Sequence, residues 1–235
     1  GGADVGWTWT DATRDWGLES TEGKELGVIF GDYDNDGDPD LYLANDMVPN
    51  MLYRNDGQRF IERGLASGTS LNDEGSVEAG MGVDMGDVDG DGLQDFFVTN
   101  FQWESNTLYR NAGHGFFIDS TVPSGVHKAS MAYLGFGAGF IDYDNDGDLD
   151  LYIADFYAQD FLYQNQGDGT YSEVGRSLGL VNLERRGNVT SVAWGDYNAD
   201  GQLDFYLGKF YFANELYNNN GDGTFTPVTD LDVGD

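Results

Sequence analysis

One nine-residue pattern occurs four times in this chain, beginning at Asp32, Asp87, Asp142 and Asp196, and it reads D-x-[DN]-x-D-G-x-x-D each time. The spacings are 55, 55 and 54 residues. A single Asp- and Gly-rich stretch could be an ordinary solvated turn, since these residues favour turns. Four copies at a fixed period instead predict a repeat architecture built from one supersecondary unit.

The pattern also predicts a cation. Two bare carboxylates about 4 Å apart repel by ~1 kcal/mol in water and ~4 kcal/mol at an effective dielectric of 20, and each loop holds several such pairs. Oxygen ligands at alternating positions suit calcium, which takes six to eight hard oxygens in flexible geometry, whereas magnesium needs a tighter octahedron and zinc prefers His or Cys. The predicted ligands of loop 1 are Asp32, Asp34, Asp36 and Asp40, with the carbonyl of Asp38. In loop 2 they are Asp87, Asp89, Asp91 and Asp95, with Leu93. Loop 3 offers Asp142, Asp144, Asp146 and Asp150, with Asp148. Loop 4 offers Asp196, Asn198, Asp200 and Asp204, with Gln202; its Asn198 removes one charge and predicts the weakest site. An EF-hand would need a Glu at position 12 and flanking helices. Here position 9 is the last acid, and residues of strand character flank the loop.

Each repeat reads as four short strands: one entering the loop, one leaving it, a third carrying Leu-Tyr-x-Asn (from Leu52, Leu108, Leu162 and Leu216), and a fourth after an Asn/Gly turn. The repeated tyrosines, and Trp194, are expected in the core. The loop, its period and its strands resemble the FG-GAP or VCBS type repeat of integrin alpha-chain propellers and of proteins related to cartilage acidic protein; the stretch 135–165 carries the resemblance most fully. That resemblance implies an all-β fold, a calcium-bearing β-propeller of four-stranded blades with up to four calcium ions, and an extracellular setting. The expected organisation is one propeller-type domain over 1–235, with an N-terminal strand segment at 1–25 and repeats of about 26–80, 81–135, 136–190 and 191–235.

Loops with three or four charges and no helical frame suit millimolar calcium, which points outside the cell, whereas composition bears on partners rather than on compartment. The net charge of −31 would fall only to about −23 with four calcium ions bound, so nucleic acid and anionic membrane should be repelled. There is no cysteine, hence no disulfide framework. The longest uncharged apolar run, 131–141, is too short to cross a bilayer. The chain opens on Gly1 without Met or a signal-like segment, as a processed or truncated N-terminus would. Asn188-Val189-Thr190 forms a glycosylation sequon.

In a four-stranded blade, the loops joining strands 2 and 3 lie on the face opposite the acidic loops. Three of them are aromatic, with Phe101 and Trp103, Phe156 and Tyr157, and Phe210, Tyr211 and Phe212, and these are the candidate ligand-binding residues. Rings beside Asn, Asp and Gln suit a sugar face or a protein hot spot; alternatively they plug the channel. The predicted function is adhesion to, or recognition of, an extracellular protein or glycan, without catalysis. The two histidines, His114 and His127, lie near no nucleophile motif. The runners-up are a self-assembling structural subunit of a filament or matrix and a non-catalytic part of a secreted carbohydrate-active enzyme. A seventeenth strand is expected at Trp7 to Thr13, beyond the sixteen that four blades need. Three arrangements are open: the chain is a section of a longer seven- or eight-bladed propeller, it closes alone as four blades with a spare edge, or it lends the extra strand to a neighbour, as in a homo-oligomer or filament formed through the terminal strands.

Overall fold

The computed structural model describes residues 8–20, 23–127, 131–157, 159–180 and 188–229. Four antiparallel sheets of four strands follow one another along the chain. The first holds β1 (Glu25–Gly31), β2 (Asp40–Asn45), β3 (Met51–Asn55) and β4 (Phe60–Glu62). The second holds β5 (Gly80–Gly86), β6 (Asp95–Asn100), β7 (Thr107–Asn111) and β8 (Phe117–Asp119). The third holds β9 (Gly135–Ile141), β10 (Asp150–Asp155), β11 (Phe161–Asn165) and β12 (Tyr171–Glu173). The fourth holds β13 (Val189–Gly195), β14 (Asp204–Lys209), β15 (Glu215–Asn219) and β16 (Phe225–Pro227). Each sheet is a blade whose strands lie in chain order, as hairpin connections demand.

The blades stack face to face through their inner strands, β1 on β5, β5 on β9 and β9 on β13. Strand alternation supplies both faces. In β6, Phe96 and Val98 join Tyr42, Ala44 and Leu52 of blade 1, while Phe97 turns to Leu151, Ile153 and Phe161 of blade 3. The second strand is therefore apolar on both sides, and Leu52, Leu108 and Leu162 of the third strands are wholly buried. Burying such a side chain contributes roughly 1.5–3 kcal/mol. Tyr53, Tyr109, Tyr163 and Tyr217 are buried, and Trp194 packs on Tyr152 and Phe205, as core residues should.

Close approach of the inner strands dictates one residue type. A Cβ on Gly82 would collide with the carbonyl of Phe136 in the next blade, and one on Gly27 would stand 3.1 Å from the backbone of Gly82. Only a residue without a side chain fits.

Among the described residues the stack does not close into a ring. Blade 1 exposes Leu26, Val28 and Phe30, whereas Val83 and Met85 of blade 2, the counterparts of Val28 and Phe30, pack on the core shared with blade 1. At the other end Tyr197 is half exposed, although Tyr33 and Tyr143 at the same loop position are buried by the following blade.

The described N-terminal residues correct the strand count: sixteen strands are present among the described residues, and 8–11 form none. Trp7 lies outside the described residues. What residues 12–18 do form is an exit turn, in which Trp16 N–H donates to the Ala12 carbonyl and Leu18 N–H to that of Thr13. Its Gly17 (φ +75°) sits against the Phe60 carbonyl as Gly68 sits against that of Phe117 and Gly125 against that of Tyr171. Two such turns are short helices that the sequence reading had not foreseen, α1 (Gly64–Ser67) and α2 (Thr121–Ser124). No helix of the described residues is long and apolar enough to cross a membrane.

Candidate metal centres and the opposite face

Each acidic loop joins the first two strands of its blade, and its own carboxylates fold it. The position-1 side chain accepts from the backbone N–H groups of positions 5 and 6: Asp36 and Gly37 donate to Asp32, Asp91 and Gly92 to Asp87, Asp146 and Gly147 to Asp142, and Asp200 and Gly201 to Asp196, all at 2.8–3.1 Å. Position 5 accepts in turn from position 7, as Asp38, Leu93, Asp148 and Gln202 donate to Asp36, Asp91, Asp146 and Asp200. The glycine at position 6 has φ between +87° and +97° in all four loops, the left-handed conformation that turns the chain back.

Three loops bring carboxylates together. One oxygen each of Asp32, Asp34 and Asp36 lie within 4.8 Å of one another; so do those of Asp87, Asp89 and Asp95, and of Asp142, Asp144 and Asp146. In loop 4, Asn198 turns its Nδ2 to Asp200 Oδ2 (2.8 Å) and so sets a donor among the acids.

The position-9 residues Asp40, Asp95, Asp150 and Asp204 open the second strand and are buried. Each accepts two backbone N–H groups, one from loop position 2 and one from the asparagine of Leu-Tyr-x-Asn. For Asp150 the donors are Tyr143 (3.1 Å) and Asn165 (2.8 Å). Burial pushes the Asp40 and Asp150 carboxyls up to about 7 and Asp95 to about 6, the backbone donors opposing it and the neighbouring acids adding to it. Burial likewise raises Asp34 and Asp144.

The asparagine side chains hold neighbouring loops together, a role the sequence reading missed. Asn165 Nδ2 donates to the Leu149 carbonyl of its own loop (3.0 Å) and to the Val88 carbonyl of the preceding blade's loop (2.8 Å). Asn111 does the same with Gln94 and Tyr33, and Asn219 with Leu203 and Tyr143. Asn35 and Asn145 add links, to the Gly92 carbonyl and to Gln202 Oε1.

Loops 1 to 3 fit calcium: their clustered ligand atoms are hard oxygens, and Asp34 Oδ1 is buried without a hydrogen-bond partner, which a cation would supply. A bound ion would neutralise the crowded carboxylates and draw Asp32, Asp34 and Asp36 together.

On the opposite face the candidate aromatic residues divide into two sets. Phe101, Phe156 and Phe210 stand where the second strand ends, and their N–H groups donate to Ala79, Leu134 and Asn188 near the start of the inner strand. Phe156 packs on Phe136, Tyr157 and Phe210, and is largely a packing residue. Trp103, Tyr157 and Tyr211 point outward, 71%, 61% and 84% exposed, and Phe212 is less so. Trp103 and Tyr211 hold positive φ angles of 74° and 70°, strained for bulky residues. Trp103 borders a cavity of about 500 Å³ shared with Glu78, Glu104, Asp119 and His127. Ala158 in this loop set lies outside the described residues.

Comparison with known proteins agrees with this geometry. The FG-GAP-like repeat matches three times, over residues 32–98, 87–153 and 142–207. Cartilage acidic protein 1 of Xenopus tropicalis is 24% identical over 236 residues, covering 91% of this chain and 36% of that protein. The Mus musculus protein of the same name is 23% identical over 230 residues, covering 86% of this chain and 33% of that one. The chain thus spans about a third of the length of these relatives. Among solved structures, an Agrocybe aegerita lectin described as recognising non-reducing terminal N-acetylglucosamine superposes with a TM-score of 0.52 at 21% identity, over 87% of this chain and 51% of that one. BBS1N from its complex with ARL6DN gives 0.53 at 8% identity, over 88% and 57%. Both likenesses concern the fold alone. The matched repeats extend over most of the sequence, and the chain belongs to the FG-GAP-like repeat family.

Proposed function

We propose that this chain is a calcium-braced, extracellular recognition module that presents an aromatic face to a protein or glycan. The observation that carries the reading is the separation of two surfaces. The acidic loops occupy one face, and on the other Trp103, Tyr157 and Tyr211 hold exposed rings beside polar side chains. An exposed ring can stack on a sugar or seat in a protein pocket, and strain held at Trp103 and Tyr211 is typical of a functional corner. Calcium has an architectural role in this reading, fixing hairpins that are otherwise crowded with charge. Similarity of fold to a lectin and of sequence to cartilage acidic protein 1 supports recognition rather than chemistry.

The strongest rival for catalysis is Glu78, whose carboxyl burial raises, in the wall of the Trp103 cavity. Its oxygens already accept from Asn72, Asn100 and Thr107, an arrangement suited to holding loops rather than to moving protons. Glycan- and protein-array binding in millimolar calcium tests the reading. Binding that is lost with Trp103→Ala or Tyr157→Ala supports it, and binding indifferent to both removes it.

A second reading, self-assembly, is favoured by the exposed Leu26, Val28 and Phe30 of blade 1. The same face is covered in blades 2 and 3, so a further blade from a second copy would suit it. Sedimentation velocity decides: assemblies that dissolve with Val28→Glu support this reading, and a monomer at high concentration removes it.

A further inference from the structure

In blades 2, 3 and 4 the residue between tyrosine and asparagine in Leu-Tyr-x-Asn reaches position 3 of its own repeat's acidic loop, and in blade 1 it lines a cavity with that position. In blade 2 Arg110 forms an ion pair with Asp89. In blade 3 Gln164 Nε2 donates to Asp144 Oδ2 at 2.7 Å. In blade 4 Asn218 Oδ1 accepts from Asn198 Nδ2 at 2.7 Å. In blade 1 Arg54 and Asp34 line one cavity, and Arg54 Nε and Asp34 Oδ1 are both buried without a hydrogen-bond partner.

The four loops therefore differ in a way that their acidic pattern hides. We propose that this residue sets how far each loop depends on calcium: Arg54 and Arg110 act as resident counter-cations in loops 1 and 2, whereas loop 3, with Gln164, requires the ion. The proposal rests on the calcium reading above. A guanidinium stays charged at every pH the fold meets, so its competition with a divalent ion for Asp34 or Asp89 is permanent. It also repels the ion across a few ångströms of partly buried space, where charges are poorly screened. Gln164 supplies a neutral donor and leaves the full charge of Asp142, Asp144 and Asp146 to the metal. Loop 4 has one carboxylate fewer and an amide pair at position 3, so it is both the weakest site and the least in need of one.

Calcium titration of the chelated full chain by calorimetry, with hydrogen exchange mapped in parallel, tests this. Two swaps install at this place a residue that a sister repeat already carries there, Gln164→Arg and Arg110→Gln. The expected wild-type result is one tight site, with calcium-dependent exchange protection centred on 142–150. Gln164→Arg should weaken that site about tenfold or more, and Arg110→Gln should add a second tight site with protection at 87–95. Calcium binding that both swaps leave unchanged overturns the proposal while the calcium reading stands. An absence of calcium binding at every loop overturns the calcium reading, and this proposal with it.

Discussion

Asn165 Nδ2 and the carbonyl oxygen of Val88 are 2.8 Å apart although the residues are separated by a whole repeat. The same side chain closes its own loop on Leu149, and its backbone N–H meets Asp150. One amide thus fixes the register of two blades and both loops on their shared face, and its counterparts Asn111 and Asn219 do so at the other junctions.

Asn165→Ala leaves the buried Val88 carbonyl without this donor, while the Leu149 carbonyl keeps the Tyr171 hydroxyl. Leaving one buried acceptor unpaired costs roughly 1–3 kcal/mol, and a loss of that size is expected in denaturant unfolding. Asn220→Ala, in an exposed turn, should change stability by about 0.5 kcal/mol or less.

Gly82→Ala places a methyl group against the Phe136 carbonyl at the blade 2–blade 3 junction. The inner strands must move apart, at a cost of about 1–3 kcal/mol as for other overpacked sites. Gly75→Ala, with open space around it, serves as the comparison for backbone strain alone.

Asp40, Asp95 and Asp150 give the calcium-free protein an inverted pH response. Their ordinary value is 3.8, and in the fold burial holds them at about 7, 6 and 7. Between these limits the folded state binds more protons than the unfolded one, so stability falls as pH rises. In chelator the melting temperature should climb as pH is lowered from about 7.5 to 5. In calcium the gain should shrink or reverse, because protons then compete with the ion.

Trp103→Ala and Tyr157→Ala remove mostly exposed rings and should leave thermal stability within about 0.5 kcal/mol of wild type. If the aromatic face binds a ligand, affinity should fall by an amount typical of a hot spot, about 2 kcal/mol or more. Surface plasmon resonance with a ligand found on the arrays measures it.

The fold was legible because its signals are local and repeated. Alternating acids around Gly37, Gly92, Gly147 and Gly201 announce loops, and the apolar runs leaving them announce strands. The junction roles were less so, because Asn165 reads as one more strand-end asparagine until Val88 is set beside it by stacking. Arg110 and Gln164 sit at a position that looks free to vary in sequence, and only the pairing of β10 with β11 and of β6 with β7 carries it to the acidic loop. The strand expected at Trp7 to Thr13 followed from its likeness to residues 169–174. Those residues pair with β11, whereas the described 8–11 have no such neighbour and form a lead into a turn.

Thermal unfolding of the full chain at graded free calcium, with magnesium as the control, bears most directly on the claim that the acidic loops are cation sites that brace the blades. The melting temperature should rise with the logarithm of free calcium above the dissociation constant, by the linkage expected of a ligand held only by the folded state. Magnesium should reproduce little of the rise. A melting temperature unmoved between chelator and millimolar calcium would contradict that claim.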